Sequence, residues 1–300
     1  MAVLRWSICT VLTLASILAT TARPALAATI EIDCDAGASV NAVLSQLAPG
    51  DTLVVNGTCH ESVVVPPASA GITLDGRGQA TLVGTEDASV VLQILGREIT
   101  VHGFTITGGR NGMTILRGAS AIVDGNTIEN SGAGGQPGSG LGINVGQHSF
   151  ASITNNTIRN HRQIGILVHE RSSARIGFFD VAAIGAPNLI ENNAGAGIQA
   201  SRGSTIRVVA TTIRGNSGDG ILVERGSEAE VANNEISGNG GSAIAVVDGS
   251  GLDVQIGAAT ETAGNRTAAG APNGAFGIQC TGWRLRRRGA WHADGPARAY

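Results

Sequence analysis

The sequence predicts an all-β solenoid of about eight coils, and three observations carry that prediction. First, glycine-led segments recur: Gly197-Ile198 begins 23 residues before Gly220-Ile221, Gly165-Ile166 32 before that, Gly142-Ile143 another 23, and Gly112-Met113 another 30. Second, within one such unit, Gly220–Asn239, the short runs Ile221/Val223, Ala229/Val231 and Ile236 alternate apolar with other positions and are broken by Arg225-Gly226 and Asn233-Asn234. A strand sends successive side chains to opposite faces, so each run can bury one row and leave the other wet. A single unit encloses no core; stacked copies do, because each coil covers the apolar row of the next. Third, 44 glycines and 42% hydrophobic residues in a chain of 300, without a Gly-X-Y period, describe an ordered, turn-rich protein and exclude both collagen and disorder.

Charge narrows the partners. A net charge of −3 offers no broad basic field, so nucleic acid is not an expected partner. Lysine is absent from the sequence, which makes every fixed side-chain cation an arginine and excludes a lysine base.

Taken in order, residues 1–27 read as a signal peptide, with Arg5 at the head, an apolar centre from Ile8 to Ala19, and Ala25-Leu26-Ala27 before the cut. The apolar run is shorter than the ~20 residues a bilayer needs, so no membrane span is expected once the signal is removed. The expected address is secreted, periplasmic or cell-surface, and the expected state is a monomer. Residues 28–60 form an N-terminal cap. There Val40, Val43, Leu44 and Leu47 fall at helical spacing within Ser39–Ala48, and Pro49-Gly50 ends the pattern, which predicts one amphipathic helix as a lid on the core. Cys34 and Cys59 are expected to pair in an oxidising compartment. Asp51–Asn56, Ser62–Val65 and Ile72–Asp75 read as strands, and regular coils run over 61–280. Ser131–Ser139, Gly177–Pro187 and Gly257–Ala275 interrupt them as protruding loops. Cys280 aligns with Val223 and Val246 and is expected to face inward. Residues 281–300, with Trp283, Trp291 and an arginine run, form an irregular tail.

The alternation of Gly-Ile-x-Val with Asn-x-Ile-x-x-Asn strands over Thr29–Cys280 resembles the right-handed parallel β-helix proteins of the pectin-lyase-like superfamily. That resemblance implies a right-handed parallel β-helix and an extracellular polysaccharide or cell-envelope polymer as partner. It implies no catalytic residue, because the sequence lacks the Asp-Pro-His-Asp, Asn-Thr-Asp and Trp-Ile-Asp-His motifs of its enzymes. The resemblance implies calcium as a possible ion, since many lyases of this superfamily place an acidic calcium site in this groove. The outward column Thr114, Asn144, Leu167, Gln199, Leu222 and Ala245 carries no acid for it, so no cofactor is evident.

Stacking the coils generates columns of side chains. Glu129, Arg159, Glu191, Arg214 and Ser237 form one, and Ser152, Arg175, Arg207, Glu230 and Asp253 another; both read as charge ladders. Asn126, Asn156 and Asn234 read as a turn ladder, on the ground that Asn tolerates the left-handed bend. Asp75, His102 and Asp124 share one turn position, and each precedes a glycine, which reads as a tight turn with a hydrogen-bonding first residue; the alternative is an imidazole held between two carboxylates as an acid or metal ligand. The turn after the glycine-led strand gathers the candidate site. Here His169, Glu170, Arg202, Glu224 and Arg225 are catalytic candidates, and Arg171, His148, Asp248, Phe178 and Phe179 are substrate-binding ones. Two arginines between the acids Glu170 and Asp248 could neutralise a uronate carboxylate, with His169 or Glu224 as the base of a lyase or epimerase. The alternative is a solvated turn in which Glu170–Arg202 and Arg225–Asp248 pair, in a non-catalytic structural or adhesive envelope protein.

Overall fold

The computed structural model describes residues 27–85, 88–132, 135, 138–177, 187–254, 278–280 and 284–285. Residues 1–26, expected above to be signal peptide, Phe178, Phe179, most of the loops expected at 177–187 and 257–275, and the expected tail apart from 284–285 lie outside them. Strands pair in parallel into a nine-stranded and a 17-stranded sheet, so the described chain is a parallel β-helix. The nine-stranded sheet is one face, made of three-residue strands such as Ile143–Val145, Ile166–Val168, Ile198–Ala200 and Ile221–Val223. The larger sheet supplies two faces. The second face includes Phe150–Thr154, Ser173–Ile176 and Thr205–Val209; the third includes Thr127–Glu129, Thr157–Arg159 and Leu189–Glu191. They merge because Thr73–Gly84 and Ile99–Gly108 run unbroken through both.

Register follows the repeats. Val168 pairs with Ala200 and Ala200 with Val223, and all three are fully buried in one interior file. The leading glycine of each first-face strand has a steric cause. A Cβ on Gly142, Gly165, Gly197 or Gly220 would lie 2.5–2.8 Å from the carbonyl oxygen at the same position of the next coil. Those carbonyls accept from Ile143, Ile166, Ile198 and Ile221 at 2.9 Å, so the coils cannot separate to make room.

The helix is shorter than the spacing predicts, Val40–Leu44 rather than Ser39–Ala48. Past Leu44 the bonds tighten to three-residue spacing, with Gln46 donating to Val43, and Asp51 takes the Ala48 N–H at 2.8 Å. Its N-terminus is held from outside the helix: Glu61 accepts from Ser39 Oγ (2.9 Å), Val40 N (2.7 Å) and Asn41 Nδ2 (2.7 Å). Asn41 also covers the first strand of the nine-stranded sheet, its Oδ1 accepting from Val64 N at 2.9 Å and its Nδ2 donating to the Ser62 carbonyl at 2.8 Å. Within the cap, the Cys34–Cys59 disulfide ties the end of the strand Thr29–Asp33 to the strand Thr58–Cys59, with Cα atoms 5.1 Å apart.

Between the faces, buried turns are satisfied by side chains. Asn126 N donates to Asn156 Oδ1 and Asn156 N to Asn188 Oδ1, both at 2.9 Å. The ladder is therefore real, but its cause differs from the expected one: the left-handed residue precedes the ladder position, at Gly125, Asn155 and Asn233, and the ladder Asn bonds the neighbouring coil. A second ladder links His161, Asn193, Asn216 and Asn239, each backbone N–H donating to the next Asn Oδ1 at 3.0–3.1 Å. A third links Ser149, Ser172, Ser204, Ser227 and Ser250 through their hydroxyls.

His161 occupies an Asn position of the second ladder as a neutral ring. Its Nδ1 accepts from Ser131 N, as an Asn Oδ1 would, and its Nε2 donates to the Ile128 carbonyl, as Asn193 and Asn216 donate to Ile158 and Ile190. Burial pushes its pKa down to about 4, with the bond to Ile128 acting weakly in the other direction. Because the unfolded chain binds this proton more tightly than the folded one, the stability is fully present above the ordinary imidazole pKa and is lost as pH falls towards 4. His161→Asn should therefore remove about 2 kcal/mol of the stability difference between pH 7 and pH 5, read from denaturant unfolding at the two pH values.

Candidate functional site

Each coil passes from the first to the second face through a tight turn. Both central residues have positive φ: Gln147 and His148, Glu170 and Arg171, Arg202 and Gly203, Arg225 and Gly226, Asp248 and Gly249. In Leu116–Ala119, Glu224–Ser227 and Val247–Ser250 the first carbonyl accepts from the fourth N–H at 3.2–3.3 Å. These features match a type I′ turn. The second central N–H of one turn donates to the first central carbonyl of the next, from His148 to Glu170, Arg171 to Arg202, Gly203 to Arg225 and Gly226 to Asp248, at 3.1–3.2 Å. This backbone ladder stacks Glu170, Arg202, Arg225 and Asp248 in a single column, as the alignment of the repeats predicts.

The side chains pair differently from the expected scheme. Arg202 Nη1 lies 3.1 Å from Glu170 Oε1, as anticipated. Arg225 Nε lies 3.5 Å from Glu224 Oε1 of its own turn; the anticipated partner was Asp248 one level further on. Glu224 is fixed for this by Gln199 Nε2 and Ser201 Oγ, each 2.9 Å from the same oxygen. Gln199 and Ser201 were not among the candidate residues. Gln199 stood in the outward first-face column, and Ser201, the residue after its strand, holds the position equivalent to Glu224 one coil earlier, so register alone could have found them.

On the first-face side of the column a cavity of about 350 Å³ brings His169, Arg202, Glu224 and Arg225 together with Asn144 and Gln199. On the other side a depression of about 390 Å³ is lined by Gln147, His148, Glu170, Arg171 and Arg202. Arg202 borders both. Asp248 stays in the column beyond them, and Phe178 and Phe179 fall outside the described residues.

His169 holds the groove's titratable nitrogen. Its Nδ1 is 3.7 Å from Glu170 Oε1, while its Nε2 is buried without a hydrogen-bond partner among the described residues. Asn144 Oδ1, in the same cavity, is buried and unpaired likewise. Unpaired buried polar atoms are uncommon and mark places where water or a ligand completes the bonding. Burial pushes the His169 imidazole below its ordinary pKa, Glu170 pulls it up and Arg202 pushes it down. The ring is therefore neutral at pH 7 and able to accept a proton.

Other constellations resolve into structure. Asp75, His102 and Asp124 are in register, but Asp75 turns to the Arg77 N–H at 2.8 Å, and His102 Nδ1 meets Asp124 at both its Oδ2 (3.0 Å) and its backbone carbonyl (3.1 Å). Asp75 thus acts as the hydrogen-bonding first residue of a turn, and the alternative of an imidazole between two carboxylates reduces to an imidazole beside one. A depression of about 450 Å³ at the third turn includes His161, both of whose ring nitrogens are already bonded to backbone. Among the described residues, the group of His, Cys, Asp or Glu side chains close enough to share an ion is Cys34, Cys59 and Glu61. Its sulfurs form the disulfide and its carboxylate caps the helix.

The chain belongs to the family described as right handed beta helix region, which matches residues 68–258. Among solved structures it is similar to pectate lyase Pel9A, at 11% identity over 80% of this chain and 77% of that one, with a TM-score of 0.46. It is also similar to an alginate lyase from Paenibacillus sp. str. FPU-7, at 15% identity, 85% and 99% coverage and a TM-score of 0.41. The A-module of the Azotobacter vinelandii mannuronan C-5 epimerase AlgE4 gives 11% identity, 87% coverage of each chain and a TM-score of 0.40. No curated protein sequence matches the chain. No described helix is long and apolar enough to cross a membrane.

The electrostatic account of His169 predicts a titration. Its midpoint, followed through the ring-proton NMR signals, should lie below the ordinary 6.5; Arg202→Ala should raise it and Glu170→Gln should lower it.

Proposed function

We propose that this protein is exported, meets an acidic polysaccharide outside the cell, and acts on it as a lyase or epimerase at the turn that carries His169. The observation supporting this reading above all is the environment of His169: a neutral imidazole in a groove wall, with Arg202, Arg225, Glu170 and Glu224 around the same column. Abstraction of the proton next to a uronate carboxylate needs the carboxylate neutralised and a base close to the proton. Arg202 and Arg225 supply the cations, and His169 takes the C5 proton. In elimination the electron pair left at C5 forms the C4–C5 double bond and expels the glycosidic oxygen, which takes a proton from solvent. In epimerisation a proton returns to C5 from the opposite face. The polysaccharide class follows the resemblance of the repeats, and the Cys34–Cys59 disulfide suits an oxidising compartment.

A second reading has its own support. Each arginine already faces a carboxylate, Arg202 with Glu170 and Arg225 with Glu224, so an incoming uronate competes with an internal partner. On that reading the protein is a non-catalytic structural or adhesive envelope protein.

Incubating the protein with acidic polysaccharides in deuterated water, and following unsaturated product and deuterium at C5, separates the two. Turnover that falls about 10²-fold or more in His169→Gln with unchanged unfolding supports the enzyme. Binding without unsaturated product or deuterium uptake overturns catalysis and leaves the adhesive reading.

A further inference from the structure

One position of the type I′ turns departs from its own rule. The second central residue is glycine at Gly118, Gly203, Gly226 and Gly249, where positive φ meets no Cβ. Two successive coils instead place His148 (φ 63°) and Arg171 (φ 58°) there. Side chains of L residues rarely occupy this region, and where they do the strain points to a use for the side chain. Both are exposed and line the depression of about 390 Å³ at the turn, together with Gln147, Glu170 and Arg202.

The adjoining second face carries two more features. Phe150 opens its strand outward and is 39% exposed, and its partners in register, Ser120 and Ser173, are small. Arg175 stands two residues beyond Ser173 on the same outward row, diagonal to Phe150 across the strand pair. The column through Arg175 runs Ser152, Arg175, Arg207, Glu230, Asp253, so like charges face each other: Arg175 opposite Arg207 and Glu230 opposite Asp253. A column that served register alone would alternate, as the third face does with its Glu129–Arg159 and Glu191–Arg214 pairs. Arg207 is matched to Glu230 at 3.4 Å, whereas Arg171 and Arg175 are in no ion pair among the described residues. Two arginines outside any ion pair among the described residues therefore stand on the turn and strand next to the one that carries an exposed aromatic ring, while Arg202 and Arg225 of the groove face carboxylates.

We propose that Phe150, His148, Arg171 and Arg175 form a second subsite for the acidic glycan, on the outer flank of the turn. The proposal rests on the polysaccharide reading above and extends it. Phe150 offers a flat apolar plane to a sugar ring, and the guanidiniums of Arg171 and Arg175 take uronate carboxylates through paired N–H donors. Arg202 borders both depressions, so a chain that leaves the groove over this edge passes directly onto the flank.

The test is calorimetric titration of the full chain with a galacturonate hexamer, with a neutral glucose hexamer and a single-stranded oligonucleotide as comparisons. Phe150→Ala should weaken galacturonate binding about tenfold. Arg171→Gly should weaken it similarly while raising the melting temperature by about 2 °C, because glycine relieves the turn; a residue with a purely structural role would not show that opposition. His169→Gln, in the groove, should leave the flank's contribution intact, so that adding Phe150→Ala to it still costs about tenfold. If the unmodified chain binds no acidic hexamer, the polysaccharide reading fails and the subsite with it. If it binds, and Phe150→Ala and Arg171→Gly leave the affinity unchanged, the subsite alone is overturned. An oligonucleotide or neutral hexamer bound as tightly overturns the assignment to acidic glycan.

Discussion

Parallel pairing between successive coils is the constraint on which the rest of this molecule depends. A strand in such a ladder meets its own equivalent one coil away, so whatever occupies a position stacks on whatever occupies it next. Because side chains alternate strictly, a slip of one residue would turn the file Val168, Ala200 and Val223 out to solvent and bring Leu167, Gln199 and Leu222 in. The same pairing creates a difficulty at the corners, where the backbone turns while still buried. Polar groups buried there without partners would be costly, and stacked Asn and Ser side chains remove that cost by bonding one coil to the next. Backbone register and corner chemistry thus enforce one another.

Stacking also explains why chemistry can arise from residues far apart in sequence. His169, Arg202 and Arg225 come from three coils, and none has a neighbour in sequence that alone makes a site. The turn that carries them is built from left-handed residues, which points their side chains away from the core and onto the rim between two faces. On one side of that rim the cations are matched by Glu170 and Glu224; on the other the charge is segregated into a basic and an acidic half. The two sides of one turn therefore present different electrostatic surfaces to the same solvent.

Much of the fold was legible because it is encoded twice, in the period-2 alternation within strands and in the recurrence of Gly-Ile between them. Column membership follows from register, so the stacking of Glu170, Arg202, Arg225 and Asp248 could be read by alignment. Partner choice could not. Whether Arg225 turns to Glu224 or Asp248 depends on a rotamer set by Gln199 and Ser201, and spacing does not report rotamers. The ladder through His161 was missed although each member lies two residues beyond the end of a third-face strand, because its first member is a histidine where the later coils have asparagine. The helix ended early because Asp51, beyond the predicted stop, claims the backbone of Ala48. Phe150 was passed over in favour of Phe178 and Phe179, since exposure on a strand depends on the serines beside it, which only pairing reveals.

The carboxamide of Asn41 has a wider consequence for how the molecule meets others of its kind. A stack of parallel strands ends in a row of free donors and acceptors, which is a template for any extended chain of suitable spacing. By answering Val64 N and Ser62 O, one amide group acts as a counterfeit strand and occupies the place an intruder would take. Individual molecules can then meet at high concentration without zipping end to end into fibres through this edge.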